Sequence, residues 1–83
     1  MKTRITNLLG IEYPIIQGAM AWVSESKWVS AMANAGATGV IATGGQSAET
    51  VREEIRKTRA LTNKPFGVNV QLMAPNKDEI VDV

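Results

Sequence analysis

The chain has 83 residues, a formal net charge of +1, and neither cysteine nor histidine. Its charges alternate in sign without forming a basic stripe that would neutralise nucleic-acid phosphates, and no apolar run approaches the ~20 residues of a membrane span. The missing residue types exclude disulfides, Cys/His zinc sites, a Ser-His-Asp triad and a thiol nucleophile within these residues. Met1-Lys2-Thr3-Arg4 leads into no signal-peptide hydrophobic region, so a cytoplasmic protein is expected.

Residues Thr3 to Leu9 are predicted to form a short lead-in turn, stopped by Gly10, that flanks the bottom of the fold. Within the apolar segment Tyr13–Met20 a first strand runs to about Gln17: Pro14 suits its first position, where a missing N–H costs least, and Gly18-Ala19-Met20-Ala21 is its C-terminal loop. Ser24 is a candidate N-cap, with Glu25 in the first turn of a helix that runs to Ala35 and is ended by Gly36. Trp28, Ala31, Met32 and Ala35 are spaced as its apolar face, and Lys27, Ser30 and Asn34 as its polar one. The apolar segment Thr38–Gly45 is a second strand. Ser47 then caps a second helix to about Leu61, with Val51 and Ile55 inward, Arg52, Glu53, Glu54, Arg56, Lys57 and Arg59 outward, and Glu53 spaced to pair with Lys57. Asn63-Lys64-Pro65 breaks that helix and starts a third strand to Gln71. Asn76 to Glu79 carries the spacing of a cap with its answering Glu, ahead of an apolar-periodic run from Ile80.

Strand, helix, strand, helix, strand is the pattern of an α/β fold with a parallel sheet. Ile15 and Ile16, and Val40 with Ile41 and Ala42, are apolar at successive positions, the mark of strands covered on both faces. Right-handed crossovers send both helices to one face, so the other face needs residues from elsewhere. A complete eight-unit barrel takes about 250 residues. Residues 1–83 are therefore expected to form a fragment of a larger α/β barrel, with about three parallel strands, two full helices and the start of a third.

Among phosphate and dinucleotide motifs, no G-x-G-x-x-G follows a strand and no Walker A lysine occurs. Three strand ends stand out instead: Gly18-Ala19-Met20-Ala21, Gly44-Gly45-Gln46, and Asn69 with Gln71. They should share one mouth, where small residues admit a flat ring and carboxamides offer both donors and acceptors. Spacing alone leaves two readings open, a heteroaromatic-ring site or glycines that merely permit tight βα turns while Asn69 caps backbone groups. No catalytic side chain and no metal-ligand set is assigned within the chain.

Met1 to Thr6, Ile11-Glu-Tyr-Pro-Ile-Ile-Gln-Gly-Ala-Met-Ala-Trp22, Ala35-Gly-Ala-Thr-Gly-Val-Ile41 and Lys64-Pro-Phe-Gly-Val-Asn-Val70 together resemble the amino-terminal part of the flavin-dependent enoyl-[acyl-carrier-protein] reductase II family, close kin of the nitronate monooxygenases. The resemblance implies that residues 1–83 are the N-terminal part of a single FMN-binding TIM (β/α)8 barrel domain. It further implies an enzyme, a homodimer when full length, that takes hydride from NADH or NADPH and reduces a trans-2-enoyl thioester carried on acyl carrier protein in bacterial fatty-acid synthesis. It implies that Gly18, Ala19, Met20 and Ala21 lie against the isoalloxazine, that Asn69 hydrogen-bonds its polar edge with Gln71 near it, and that Gly44, Gly45 and Gln46 border the entrance. Ala19 stands where a second glycine is common. The family's histidine and its phosphate-binding loops lie beyond the third strand, outside these residues. Two alternatives remain: FMN-dependent oxidation of alkyl nitronates, and a non-catalytic fragment that persists by association.

Overall fold

The computed structural model describes residues 2–20 and 25–83. Helix α1 (Arg4–Leu9) opens at Thr3, whose Oγ1 accepts from the Thr6 N–H at 3.1 Å while Thr6 Oγ1 accepts from the Thr3 N–H at 2.7 Å. This reciprocal box satisfies two backbone donors at the helix start. Gly10 ends the helix in the left-handed region, and Leu9 lines an apolar hollow with Pro65 and Phe66. The lead-in thus lies beside the residues that enter the third strand.

Strands β1 (Ile16–Gln17), β2 (Thr38–Ile41) and β3 (Gly67–Val68) form one parallel sheet in the order β1-β2-β3. Helices α2 (Ser26–Asn34) and α3 (Ala48–Leu61) connect them, and a short α4 (Lys77–Val81) follows. Ile16 pairs with Thr38 and Gln17 with Gly39; Val40 pairs with Gly67 and Ile41 with Val68. The strands are shorter than their apolar runs suggested. At the front of β1 the Ile15 N–H turns back onto the Tyr13 carbonyl at 2.8 Å across Pro14, a three-residue turn common at strand starts. Beyond β2 the Gln46 N–H reaches the Thr43 carbonyl at 3.1 Å, a β-turn whose third residue, Gly45, has φ 72°, a position that favours glycine. Two threonine hydroxyls then prolong the brief β2–β3 pairing. Thr38 Oγ1 donates to the Pro65 carbonyl at 3.0 Å and Thr43 Oγ1 to the Asn69 carbonyl at 2.7 Å.

Helix α2 packs on both β2 and α3, and Val29, Ile41 and Val51 are fully buried between them. Its inward face is not the expected one. Ser26, Val29, Ser30 and Ala33 are buried, whereas Trp28 is 47% exposed and Ala31 and Ala35 lie at the surface. The reason is proximity: a methyl on Gly39 would sit 3.1 Å from the Val29 Cα, so the helix approaches too closely for an indole to intervene. Ser30 satisfies its hydroxyl by donating to the Lys27 carbonyl at 3.1 Å. The expected cap, Ser24, lies outside the described residues. Glu25 stands at the cap position without a side-chain bond, and the Ser26 N–H donates instead to Glu54 Oε2 of α3 at 2.9 Å.

Helix α3 starts as expected, with Ser47 Oγ accepting from the Thr50 N–H at 3.2 Å. Two expectations on α3 fail together. Glu54 turns toward α2 rather than outward, its side chain only 16% exposed, and Lys57 follows it at 3.7 Å. Glu53 consequently pairs with Arg56 at 3.2 Å instead of with Lys57. Asn76 precedes α4 without capping it, because its Nδ2 donates to the Gln46 carbonyl at 3.0 Å, tying the loop after β3 to the loop after β2. Ile80 of α4 is buried.

Candidate functional site

Register and parity define the faces of the sheet. Side chains alternate along a strand, and level residues on neighbouring parallel strands point to the same side. Gly39 faces Val29, and Ile41 is fully buried, so these two mark the side covered by the helices. Ile16, Thr38, Val40 and Gly67 take the other side, where a methyl on Gly67 would lie 3.5 Å from Val40 Cγ2. Helices α2 and α3 leave this second face open; Leu9 of α1 reaches it at the hollow lined by Ile16, Val40 and Gly67, and Ile16 on it is 52% exposed.

Continuing the same alternation past the strand ends places Gly18, Met20, Ala42, Gly44, Asn69 and Gln71 on that open face. Contact bears this out for one pair: a methyl on Gly44 would lie 2.8 Å from Gln71 Nε2. Ala19 falls on the helix side, so only its backbone can serve the open face. Ala21 lies outside the described residues. Gly45 is exposed at the tip of its turn, and Gln46 is half-buried behind it. Beside this rim the loops after β2 and β3 enclose a cleft of about 480 Å³ lined by Gly45, Gln46, Ser47, Gln71, Met73 and Asn76, among others. The structure thus brings together the ends of β2 and β3, the latter pair of loops joined by Asn76, and sets the end of β1 on the same face through its register with β2.

Sequence reasoning missed Thr43 and Asn76 as the residues that tie these loops. Thr43 had a usable signal, a hydroxyl at the last position before a Gly-Gly turn, where a ladder loses its backbone partners. Asn76 had none, since its cap-like spacing pointed to α4.

The rim is chemically uniform. Gly18, Met20, Gly44, Gly45, Gln46, Asn69 and Gln71 carry no ionisable side chain, so they offer space and hydrogen-bonding groups but no proton to exchange. No group of acidic residues that could hold a metal ion occurs among the described residues, and no helix among them is long and apolar enough to cross a membrane. The donor set fits a flavin ring on three counts. A methyl on Gly18 would meet no described atom within 4 Å. Two carboxamides share that face. Gln46 Oε1 is buried with no hydrogen-bond partner among the described residues, an acceptor awaiting a donor.

The family model for nitronate monooxygenase matches residues 2–83. A nitronate monooxygenase of Pseudomonas aeruginosa is 47% identical over 77 residues, covering 93% of this chain and 22% of that protein. An octahydroindene-carboxyl-CoA dehydrogenase of Mycobacterium tuberculosis is 39% identical over 83 residues, all of this chain and 23% of that protein. The solved structure of FabK from Thermotoga maritima superposes with a TM-score of 0.95 at 40% identity, over 99% of this chain and 26% of that one. The chain therefore spans about a quarter of the length of the proteins it matches. It belongs to the nitronate monooxygenase family, a family of FMN-dependent oxidoreductases, and its three parallel strands and their helices form the N-terminal part of a TIM barrel.

Proposed function

We propose that the protein carrying these residues is an FMN-dependent enoyl-[acyl-carrier-protein] reductase that uses NADH or NADPH and works as a homodimer. The observation that carries the reading is the neutral rim on the open face, with Gly18 and Met20 after β1 and Asn69 and Gln71 after β3 on either side of β2, in a fold that superposes on FabK. The M. tuberculosis relative is named for a CoA thioester, which supports a thioester as substrate class.

In this reading Gly18 and Met20 admit the flavin ring against backbone, while Asn69 and Gln71 hydrogen-bond its polar edge. Gln46 Oε1 accepts from a ring N–H or a substrate amide, and Gly44 and Gly45 keep the entrance narrow yet unobstructed. FMN, when bound, supplies hydride transfer from the nicotinamide to the β-carbon of the conjugated double bond. These residues align the reacting partners, since productive geometry requires reacting atoms about 3–3.5 Å apart. The proton for the α-carbon comes from a group outside this chain, which holds no histidine.

A second reading, oxidation of alkyl nitronates, is favoured by the 47% identity to the P. aeruginosa enzyme. Full-length protein assayed with crotonyl thioester plus NADH or NADPH, and in parallel with alkyl nitronate plus oxygen, separates the two. Thioester reduction with bound flavin is expected; nitronate turnover without it rejects the reductase.

A further inference from the structure

Asn69 lies one residue beyond β3, and its backbone is held by β2 on one side and by the Thr43 side chain on the other. In a parallel ladder each residue of one strand is bridged by an N–H and a carbonyl that bracket its partner on the other. Ile41 and Val68 are such a pair, and the Asn69 N–H accordingly donates to the Ile41 carbonyl at 2.9 Å. The next rung would bring a donor from residue 43 to the Asn69 carbonyl. There β2 turns away into Gly44-Gly45, and the Thr43 hydroxyl supplies the donor at 2.7 Å. Thr43 is 2% exposed, so no water competes for that bond.

We infer that Thr43 is a positioning residue for the flavin-contacting carboxamide of Asn69: it holds the peptide on the far side of Asn69 as Ile41 holds the near side. The inference rests on the flavin reading above. With β3 paired over only Gly67–Val68, loss of the Thr43 bond frees the Asn69–Val70 peptide to rotate and carries the carboxamide with it. A binding group needs placement within about 0.5 Å to be effective, so such a rotation weakens the ring contact although Thr43 itself faces the helices. The same hydroxyl couples the two loops, because the Thr43 carbonyl also accepts the turn-closing Gln46 N–H at 3.1 Å.

The test uses full-length protein and FMN titration by flavin fluorescence, with the visible spectrum of the bound flavin and the thermal midpoint measured alongside. Thr43→Val keeps the shape and removes the hydroxyl; Thr43→Ser keeps the hydroxyl and removes the methyl. T43V is expected to weaken FMN binding several-fold, up to the roughly tenfold loss expected when the Asn69 carboxamide itself is removed, and to shift the flavin bands, while T43S stays within twofold of the unmodified protein with an unshifted spectrum. In an Asn69→Ala background T43V is expected to have little further effect. If T43V does not fold, Thr43→Ala takes its place in the same comparisons. Equal FMN affinity in T43V and the unmodified protein overturns the role of Thr43, as does a T43S variant as impaired as T43V. Unmodified protein that binds no FMN overturns the flavin reading and this inference together.

Discussion

Gly18 and Gly36 are both glycines near a strand, and the structure gives them opposite reasons. Among the described residues nothing lies within 4 Å of where a Gly18 methyl would stand, and its backbone is outside the left-handed region. Gly18→Val should therefore change the unfolding free energy by no more than the ~0.5 kcal/mol typical of surface changes while excluding the ring, seen as loss of flavin absorbance from the purified full-length protein. Gly36 has φ 100°, and its methyl would lie 2.9 Å from both Glu12 Oε2 and Tyr13 Cδ2. Its carbonyl also receives the Glu12 and Tyr13 N–H groups at 2.9 Å each. Gly36→Ala should cost about 1–3 kcal/mol by denaturant unfolding, the usual range for a forced backbone conformation, with no change in flavin affinity for the fraction that remains folded. A third substitution, Asn69→Leu, removes the carboxamide to which the proposed function assigns a hydrogen bond to the ring, worth about 1 kcal/mol or more. FMN affinity should fall by roughly tenfold, and an unchanged value in titration would remove Asn69 from the site.

Elements are joined here by side chains that reach across sequence, and those were the hardest to read. Ser47 and Gly10 were legible because a cap and a stop act on residues beside them. Glu54 was not, since it serves the start of α2 from 28 positions downstream, and its neighbours on α3 all suggested a solvated charged face. The inward face of α2 was misread for a related reason: Trp28 and Met32 are the more apolar residues, yet close approach to Gly39 selects Val29, Ser30 and Ala33. The carboxamides at the strand ends were legible, because parity from a three-strand register needs only the strands to be located. Removing the Glu54 carboxylate leaves the Ser26 N–H without its acceptor at a helix start where Glu25 offers none. Glu54→Ala is expected to destabilise the full-length protein by about 1 kcal/mol, as loss of a cap does. Glu53→Ala, which breaks an exposed pair at 3.2 Å, should change stability by less than about 0.5 kcal/mol. Equal midpoints for the two variants in urea would show that the bond to α2 contributes nothing.

The molecule as a whole has one finished side and one unfinished side. Helices α2 and α3 close one face of the sheet over Val29, Ile41 and Val51, while the opposite face carries Ile16, Val40 and an apolar hollow of about 230 Å³ that Leu9 and Phe66 line only in part. In a closed barrel that face points inward, where layers of side chains from all the strands fill it. An apolar sheet face with two unpaired edges is also what drives chains to associate. The 83-residue chain produced alone should therefore associate, its sedimentation mass rising above the 8.9 kDa of one chain as concentration increases. Ile16→Lys places a charge on the edge strand β1 of that face, 52% accessible and away from the α2–α3 core, and should shift the distribution toward monomer without loss of helical circular dichroism. FMN should bind the isolated chain weakly, because the ring contacts proposed for Gly18, Asn69 and Gln71 come without a phosphate anchor. A concentration-independent monomer that unfolds cooperatively would mean that the two helices stabilise the sheet unaided, and that the open face is tolerated in water rather than awaiting cover.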